Sequence, residues 1–116
     1  MDQPVVLAVI GGSGLYSLFD SAVTDTTVET PYGPVAVTIG DLGGRRVAFL
    51  PRHGTGHSVA PHRIAYRANV WALASIGVRA IVSTAAVGGL HPDYPVGSIV
   101  LPDQYIDRTN GRADTF

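Results

Sequence analysis

Hydrophobic residues occur in short runs that glycine and proline interrupt. Residues 4–10 (PVVLAVI) are continuously apolar and stop at GGSG, which predicts a buried strand entering a tight turn. Residues 22–30, 35–39 and 46–50 are rich in threonine and valine or alternate in polarity, with Pro/Gly breaks between them. They predict three further strands in an antiparallel meander. Residues 15–19 (LYSLF) predict one helical turn.

Residues 62–76 contain no glycine or proline, and this stretch predicts a helix. Pro61 lies where a helix can begin, and Gly77 lies where one can end. The residues expected along one face of this helix are Ile64, Ala68, Trp71 and Ser75.

The pattern after the helix predicts the rest of an α/β fold. Residues 78–84 (VRAIVST) read as a short apolar strand, so that the helix completes a strand–helix–strand crossover. Residues 98–102 (SIVLP) predict a last strand, and residues 103–116 predict a polar, mobile loop. We therefore expect one domain over residues 1–116, with a mixed central sheet and a crossover helix, that is incomplete on its C-terminal side.

Composition narrows the chemistry available to this chain. The 116 residues carry a formal net charge of −1, which argues against nucleic-acid binding. Cysteine is absent, which excludes disulfides and a thiol nucleophile, and all eight basic residues are arginine. Any anion held by a charged side chain must therefore be held by arginine, whose planar fork suits phosphate and carboxylate. No apolar run approaches a membrane span and the N-terminus does not resemble a signal peptide, so we expect a cytoplasmic protein without membrane partners.

Three predicted strands run into segments suited to anion binding. The GGSG segment at residues 11–14 exposes backbone amides and the hydroxyl of Ser13. Arg52 and His53 directly follow another strand. The STAAVGGL segment at residues 83–90 consists mostly of small residues, whose side chains would not block a ligand. The alternatives are a plain turn for GGSG, a structural salt bridge of Arg52 with solvated histidines, and close packing for STAAVGGL; the anion site is favoured over its alternative at Arg52 and His53. If the three converge, Ser13, Arg52, His53 and the Ala86 amide form one oxyanion pocket.

Other chemistry fits these segments less well. His53 and His57 are four residues apart, but Gly54 and Gly56 lie beside them and no H-E-x-x-H glutamate is present, so we expect no metal site. The glycines at 11–14 match neither the dinucleotide fingerprint nor the G-x-S-x-G elbow of serine hydrolases.

Four segments together resemble one known family. They are IGGSGLY from residue 10, LPRHGTGHSVAPHRIAYRANVWAL from residue 50, STAAVGGL from residue 83 and PVGSIVLPDQYIDRT from residue 95. In this order and spacing they resemble the trimeric purine nucleoside phosphorylase family, most closely its methylthioadenosine phosphorylase branch. The resemblance covers nearly the whole chain and corresponds to roughly the first half of such an enzyme.

The resemblance implies a nucleoside phosphorylase fold and phosphorolysis, in which inorganic phosphate cleaves a purine nucleoside to free base and ribose-1-phosphate or its 5-methylthio analogue. It implies a homotrimer, small-molecule partners and no cofactor, phosphate being a co-substrate. The positions implied for phosphate are Ser13, Arg52, His53, Ala85 and Ala86. The positions implied for the nucleoside are Thr84, Val87, Gly88, His57, Pro61 and Tyr66.

Two features depart from the family pattern. Ala85 stands where relatives carry threonine or asparagine, so only its backbone can contact phosphate, and Val87 is bulkier than the cysteine or alanine of relatives. The family's base-recognition residues, including the acid that protonates the purine, lie beyond the matched part. A non-catalytic chain that keeps phosphate binding and a subunit interface is therefore the alternative, and an unrelated nucleotide-binding module is a third hypothesis.

Overall fold

The computed structural model describes residues 3–20 and 22–115. One α-helix, α1 (Tyr66–Ser75), and two single 3₁₀ turns, Thr55–His57 and Pro61–Arg63, accompany a five-stranded sheet. The strands in chain order are β1 (Leu7–Gly11), β2 (Thr24–Val28), β3 (Val35–Leu42), β4 (Arg45–Pro51) and β5 (Ala80–Ser83).

The sheet is mixed, with strand order β2-β3-β4-β1-β5. β2, β3 and β4 form the predicted antiparallel meander, while β1 is parallel to both of its neighbours, β4 and β5. Leu7 lies opposite Val47 on one side and Ala80 on the other. Because β4, β1 and β5 are parallel neighbours, their carboxyl ends meet at one edge of the sheet, where α/β folds place ligands.

The α1 helix lies in the connection from β4 to β5, as the crossover prediction required. It begins at Tyr66 rather than at residue 62, because Pro61–Arg63 form a 3₁₀ turn and Ile64 is extended (ψ 129°). The predicted face was also partly wrong: Trp71 is half-buried and Ser75 is exposed. The buried helical residues are Ala68, Ala72 and Leu73.

The two faces of the sheet carry separate hydrophobic clusters. On one face, Ala68, Ala72 and Leu73 of α1 pack with inward residues of β1, β3 and β4, including Val37 and Leu50. On the other face, the residues in contact are Val9, Val47, Phe49, Leu15, Leu18 and Phe19. Side chains of a strand alternate between faces, so successive residues of β4 supply both clusters.

Two predicted elements are not formed. Residues 15–19 make no helical turn; instead this segment lies across the sheet, where its apolar side chains cover Val47 and Phe49. Residues 98–102 form no strand, because a strand exists only with a hydrogen-bonded neighbour and this segment has none among the described residues.

Residues 85–115 are exposed throughout. None of the described helices has the length and apolar character needed to span a bilayer.

Candidate active site

The turns that follow β1, β4 and β5 meet at the carboxyl edge of the sheet. The backbone N–H of Gly12 donates to Thr84 Oγ1 at 3.0 Å, and the backbone N–H of Arg52 donates to the Gly11 carbonyl at 2.8 Å. Arg52 Nη1 also reaches Ser83 Oγ at 3.3 Å. The three segments that the sequence suggested for anion binding are therefore brought together, with the Arg52 guanidinium between the β1 and β5 turns.

Gly12 is the point of closest approach between these turns. It is buried, and a Cβ at this position would overlap the Arg52 guanidinium and the Thr84 carbonyl and lie 3.2 Å from the Ala85 Cα. Glycine is thus required here for close approach of backbone, and its φ is not in the left-handed region. The neighbouring Ser13 is exposed, so its hydroxyl and amide remain accessible to a ligand.

His53 is held in one orientation beside Arg52. Its side chain is 9% exposed, and its Nδ1 lies 2.9 Å from the Val59 carbonyl. A carbonyl only accepts, so Nδ1 carries the proton and donates. Neutral His53 therefore presents Nε2 as an acceptor, suited to a protonated phosphate oxygen, and it donates from Nε2 only when the ring is charged.

A second histidine links this loop to the glycine turn. His57 Nδ1 lies 3.1 Å from the Tyr16 hydroxyl, and its ring centroid lies 4.6 Å from that of His53. His57 has φ 55°, a left-handed conformation in which non-glycine residues are uncommon. Gly54 and Gly56, also at positive φ, let the chain double back to reach it. The Tyr16 contact was not anticipated, because it depends on the loop path.

Not all of the implied nucleoside residues lie at the strand ends. Thr84 is half-buried among the turns, and the exposed positions that follow it directly are Ala85, Ala86, Val87 and Gly88. Pro61 and Tyr66 instead line a separate cavity of about 540 Å³ between α1 and residues 108–113, which shares no lining residue with the three turns. The structure therefore divides the implied site residues between two places.

The C-terminal segment occupies the wall of that cavity. The Arg112 guanidinium stacks 3.8 Å above the Tyr66 ring and donates to its hydroxyl at 3.1 Å, while that hydroxyl donates to the Pro61 carbonyl at 3.3 Å. Hydrogen bonds from the Thr109 backbone N–H and then from its hydroxyl lower the pKa of Asp107. This exposed turn therefore keeps both hydrogen bonds to Asp107 at pH values above the ordinary carboxyl pKa. It loses them as the pH falls through the lowered pKa of Asp107.

The residues at the strand ends offer anion recognition. Among residues 3–20 and 22–115, no group of three or more histidines and carboxylates lies close enough to hold a metal ion. The polar groups gathered there are the Arg52 guanidinium, the His53 ring, two hydroxyls and the turn amides. Such donors match a tetrahedral oxyanion.

Comparison with known proteins identifies the family of this chain. The sequence pattern of the Phosphorylase superfamily matches residues 6–116. The chain belongs to that superfamily. It is 54% identical over 112 residues to the purine nucleoside phosphorylase of Streptomyces coelicolor, covering 95% of this chain and 40% of that protein. It is also 54% identical over 114 residues to the S-methyl-5'-thioadenosine phosphorylase of Mycolicibacterium smegmatis, covering 97% of this chain and 44% of that protein.

Solved structures of phosphorylases share the fold. A double mutant of the adenosine/methylthioadenosine phosphorylase of Schistosoma mansoni, in complex with adenine, superimposes with a TM-score of 0.69 at 38% identity, covering 78% of this chain and 32% of that one. A methylthioadenosine phosphorylase from an Antarctic soil metagenomic library gives a TM-score of 0.62 at 45% identity, covering 71% of this chain and 30% of that one. The chain thus spans less than half the length of the phosphorylases it matches, and the predicted α/β phosphorylase fold is confirmed for this part.

Removing the Thr84 hydroxyl is expected to loosen the contact between the β1 and β5 turns. Thr84→Val should lower the free energy of unfolding by about 1 kcal/mol, the net contribution of one hydrogen bond, because the Gly12 N–H loses its acceptor. Thr84→Ser keeps the acceptor and serves as the matched control. Urea denaturation measures both; equal stability of the two variants would contradict the role of this bond.

Proposed function

We propose that this chain provides the phosphate-binding part of a phosphorolysis site for a purine nucleoside or 5'-methylthioadenosine. The observation that carries the proposal is the meeting of three turns around the Arg52 guanidinium, in a chain of the phosphorylase superfamily. The proteins named above as purine nucleoside and methylthioadenosine phosphorylases support the substrate class.

In the proposed reaction, a phosphate oxygen attacks the anomeric carbon of the sugar and the glycosidic C–N bond breaks. The bonding electrons pass to the purine, which takes up a proton and leaves as free base, and the sugar leaves as ribose-1-phosphate or its 5-methylthio analogue. The sugar develops oxocarbenium character, so a dianion fixed beneath it supplies both the nucleophile and electrostatic stabilisation. No cofactor is needed for this displacement.

Each residue is assigned to phosphate or to the nucleoside by its position in the site. Arg52 neutralises phosphate charge through its fork, His53 contacts a phosphate oxygen through Nε2, and Ser13 donates its hydroxyl. Ala85 and Ala86 contribute backbone amides only, which every residue type except proline could supply. We place Thr84, Val87, Gly88 and His57 toward the sugar and base, in a homotrimer with small-molecule partners in the cytoplasm. Pro61 and Tyr66 belong to the nucleoside side only if the substrate extends to their separate cavity.

A second candidate is phosphate binding without turnover by the 116 residues on their own. The exposure of residues 85–88 favours it, because water would reach an oxocarbenium centre held at these turns. It shares the phosphate site with the leading proposal, and measurements of turnover and of binding separate the two.

A substrate panel tests the proposed activity. Methylthioadenosine, methylthioinosine, adenosine and inosine are incubated with and without phosphate, and free base is quantified by chromatography. The protein is assayed alone and joined to the remaining part of the S. coelicolor relative. We expect phosphate-dependent base release from the joined protein and none from the 116 residues alone. If the joined protein released base equally well without phosphate, phosphorolysis would be contradicted. Turnover by the 116 residues alone would contradict the claim that further residues are needed.

A further inference from the structure

The two histidines in the loop after β4 use the same ring nitrogen with different kinds of partner. His53 Nδ1 lies 2.9 Å from the Val59 carbonyl, and His57 Nδ1 lies 3.1 Å from the Tyr16 hydroxyl. A carbonyl can only accept a hydrogen bond, whereas a tyrosine hydroxyl can also donate one. Because both Nδ1 atoms are engaged, Nε2 is the ring nitrogen that each histidine has left for a ligand.

The Tyr16 hydroxyl determines what the free nitrogen of His57 can do. A phenol donates more readily than it accepts, because its ring withdraws electron density from the oxygen, and a neutral imidazole nitrogen is a good acceptor. When Tyr16 donates to Nδ1, the proton of neutral His57 is on Nε2. His57 then offers a donor beside the Nε2 acceptor of His53. The two rings, whose centroids are 4.6 Å apart, form a donor–acceptor pair.

The conformation of His57 shows that its ring needs support from outside the loop. The residue is exposed, and its φ of 55° is a left-handed conformation that is costly for a residue with a side chain. The loop holds the backbone through its own hydrogen bonds, from the His57 N–H to the Gly54 carbonyl at 3.2 Å and from the Val59 N–H to the His53 carbonyl at 2.8 Å. Neither bond restrains the ring of His57.

Tyr16 supplies this support from the segment after β1. Besides the hydrogen bond, its ring centroid lies 5.8 Å from that of His57. The nearby residues Leu15, Leu18 and Phe19 pack on the sheet and hold the segment in place. Tyr16 itself is 49% exposed, so packing in the core does not account for its position. The segment is thus anchored on the sheet, and its one aromatic hydroxyl contacts the histidine loop.

We propose that Tyr16 is a positioning residue for the nucleoside side of the site, an inference that rests on the proposed function. The Tyr16 hydroxyl holds the His57 ring so that its Nε2–H donates to a sugar oxygen, while His53 Nε2 contacts phosphate. The order of contacts supports this division, because Arg52 reaches the β5 turn, His53 follows Arg52 directly, and the His57 ring contacts that of His53. Tyr16 acts through His57 and does not itself contact the substrate.

Calorimetric titration of the 116-residue chain with ribose-1-phosphate and with inorganic phosphate tests this role. Tyr16→Phe keeps the ring and removes the hydroxyl. We expect the dissociation constant for ribose-1-phosphate to rise about fivefold, the effect of one hydrogen bond, and that for inorganic phosphate to change by less than about twofold. Tyr105→Phe removes an exposed hydroxyl elsewhere in the chain and is expected to change neither constant.

A double-mutant cycle shows whether Tyr16 acts through His57. His57→Gly removes the ring, and glycine adopts the positive φ of this position without strain. In the His57→Gly background we expect Tyr16→Phe to have no further effect on the binding of ribose-1-phosphate, because the hydroxyl no longer has a ring to orient. A hydroxyl that merely stabilised the fold would have the same effect in both backgrounds.

The outcomes separate this inference from the proposed function. The role of Tyr16 would be overturned by an equal loss of affinity for both ligands in Tyr16→Phe, by an unchanged affinity for ribose-1-phosphate, or by the full loss recurring in the His57→Gly background. A natural chain that binds phosphate but not ribose-1-phosphate would overturn it as well. A natural chain that binds neither ligand would contradict the proposed phosphate site, and this inference with it. The expected difference between the two ligands, together with a joined protein that shows no phosphate-dependent turnover, would contradict only phosphorolysis.

Discussion

Gly12→Ala is expected to weaken phosphate binding at least tenfold. The new Cβ would overlap both the Arg52 guanidinium and the Thr84 carbonyl, so the β1 turn can accept it only if the β4 and β5 turns move apart. Overpacking of this kind costs about 1–3 kcal/mol of stability, and it separates the groups that must converge on one anion. Phosphate affinity measured by equilibrium dialysis, with unfolding followed in urea, checks both effects.

Gly40→Ala is the matched control for that substitution. A Cβ at Gly40 would lie 2.7 Å from the Phe19 ring, so this variant also overpacks the protein, but in β3 rather than at the strand-end turns. It should lower stability while leaving the phosphate dissociation constant unchanged. If both variants lost the same affinity, the loss would reflect general destabilisation and the special role of Gly12 would be wrong.

Arg52→Ala is expected to weaken phosphate binding about ten- to hundredfold. The variant removes a charge-assisted pair, whose loss costs about 1.5–3 kcal/mol, and no other cationic side chain is in hydrogen-bond contact with the three turns among the described residues. In an active phosphorylase that includes this chain, the KM for phosphate should rise well above that for nucleoside. Steady-state kinetics at varied phosphate measures this directly.

Arg52→Lys separates charge from geometry at the same position. Lysine keeps the positive charge but has no planar fork and cannot bind phosphate through two parallel bonds. We expect its affinity to fall between those of the natural protein and Arg52→Ala. If Arg52→Ala left the phosphate dependence unchanged, the guanidinium would not bind phosphate, and its role would be limited to the hydrogen bond with Ser83.

The strands were predictable because their signals are local. A continuous apolar run marks β1, and Pro/Gly breaks separate β2, β3 and β4 into a meander, so the number of these strands and their places along the chain follow from pattern alone. The crossover helix was found for the same reason, although its start was misplaced by four residues. Residues 61–63 form a 3₁₀ turn and Ile64 is extended, and the hydrophobic pattern contains no signal that distinguishes this arrangement from the first turn of an α-helix.

Non-local pairing explains what pattern analysis missed. SIVLP has the composition of a strand, but composition cannot show whether a neighbour exists to pair with it. The convergence of Gly12, Arg52 and Thr84 required β1 to lie between β4 and β5, a strand order that separate motifs could suggest but not establish. The Tyr16–His57 contact depends on positive φ at His57, which no residue type signals.

The most direct test of the central claim is an NMR titration of the 116-residue chain with inorganic phosphate. The claim is that the turns after β1, β4 and β5 form one site. The account predicts that the backbone amides of Ser13, His53 and Ala86 shift together and yield one dissociation constant, and that Arg52→Ala weakens all three responses equally. Amides of only one turn responding, or three unrelated dissociation constants, would contradict a single phosphate site.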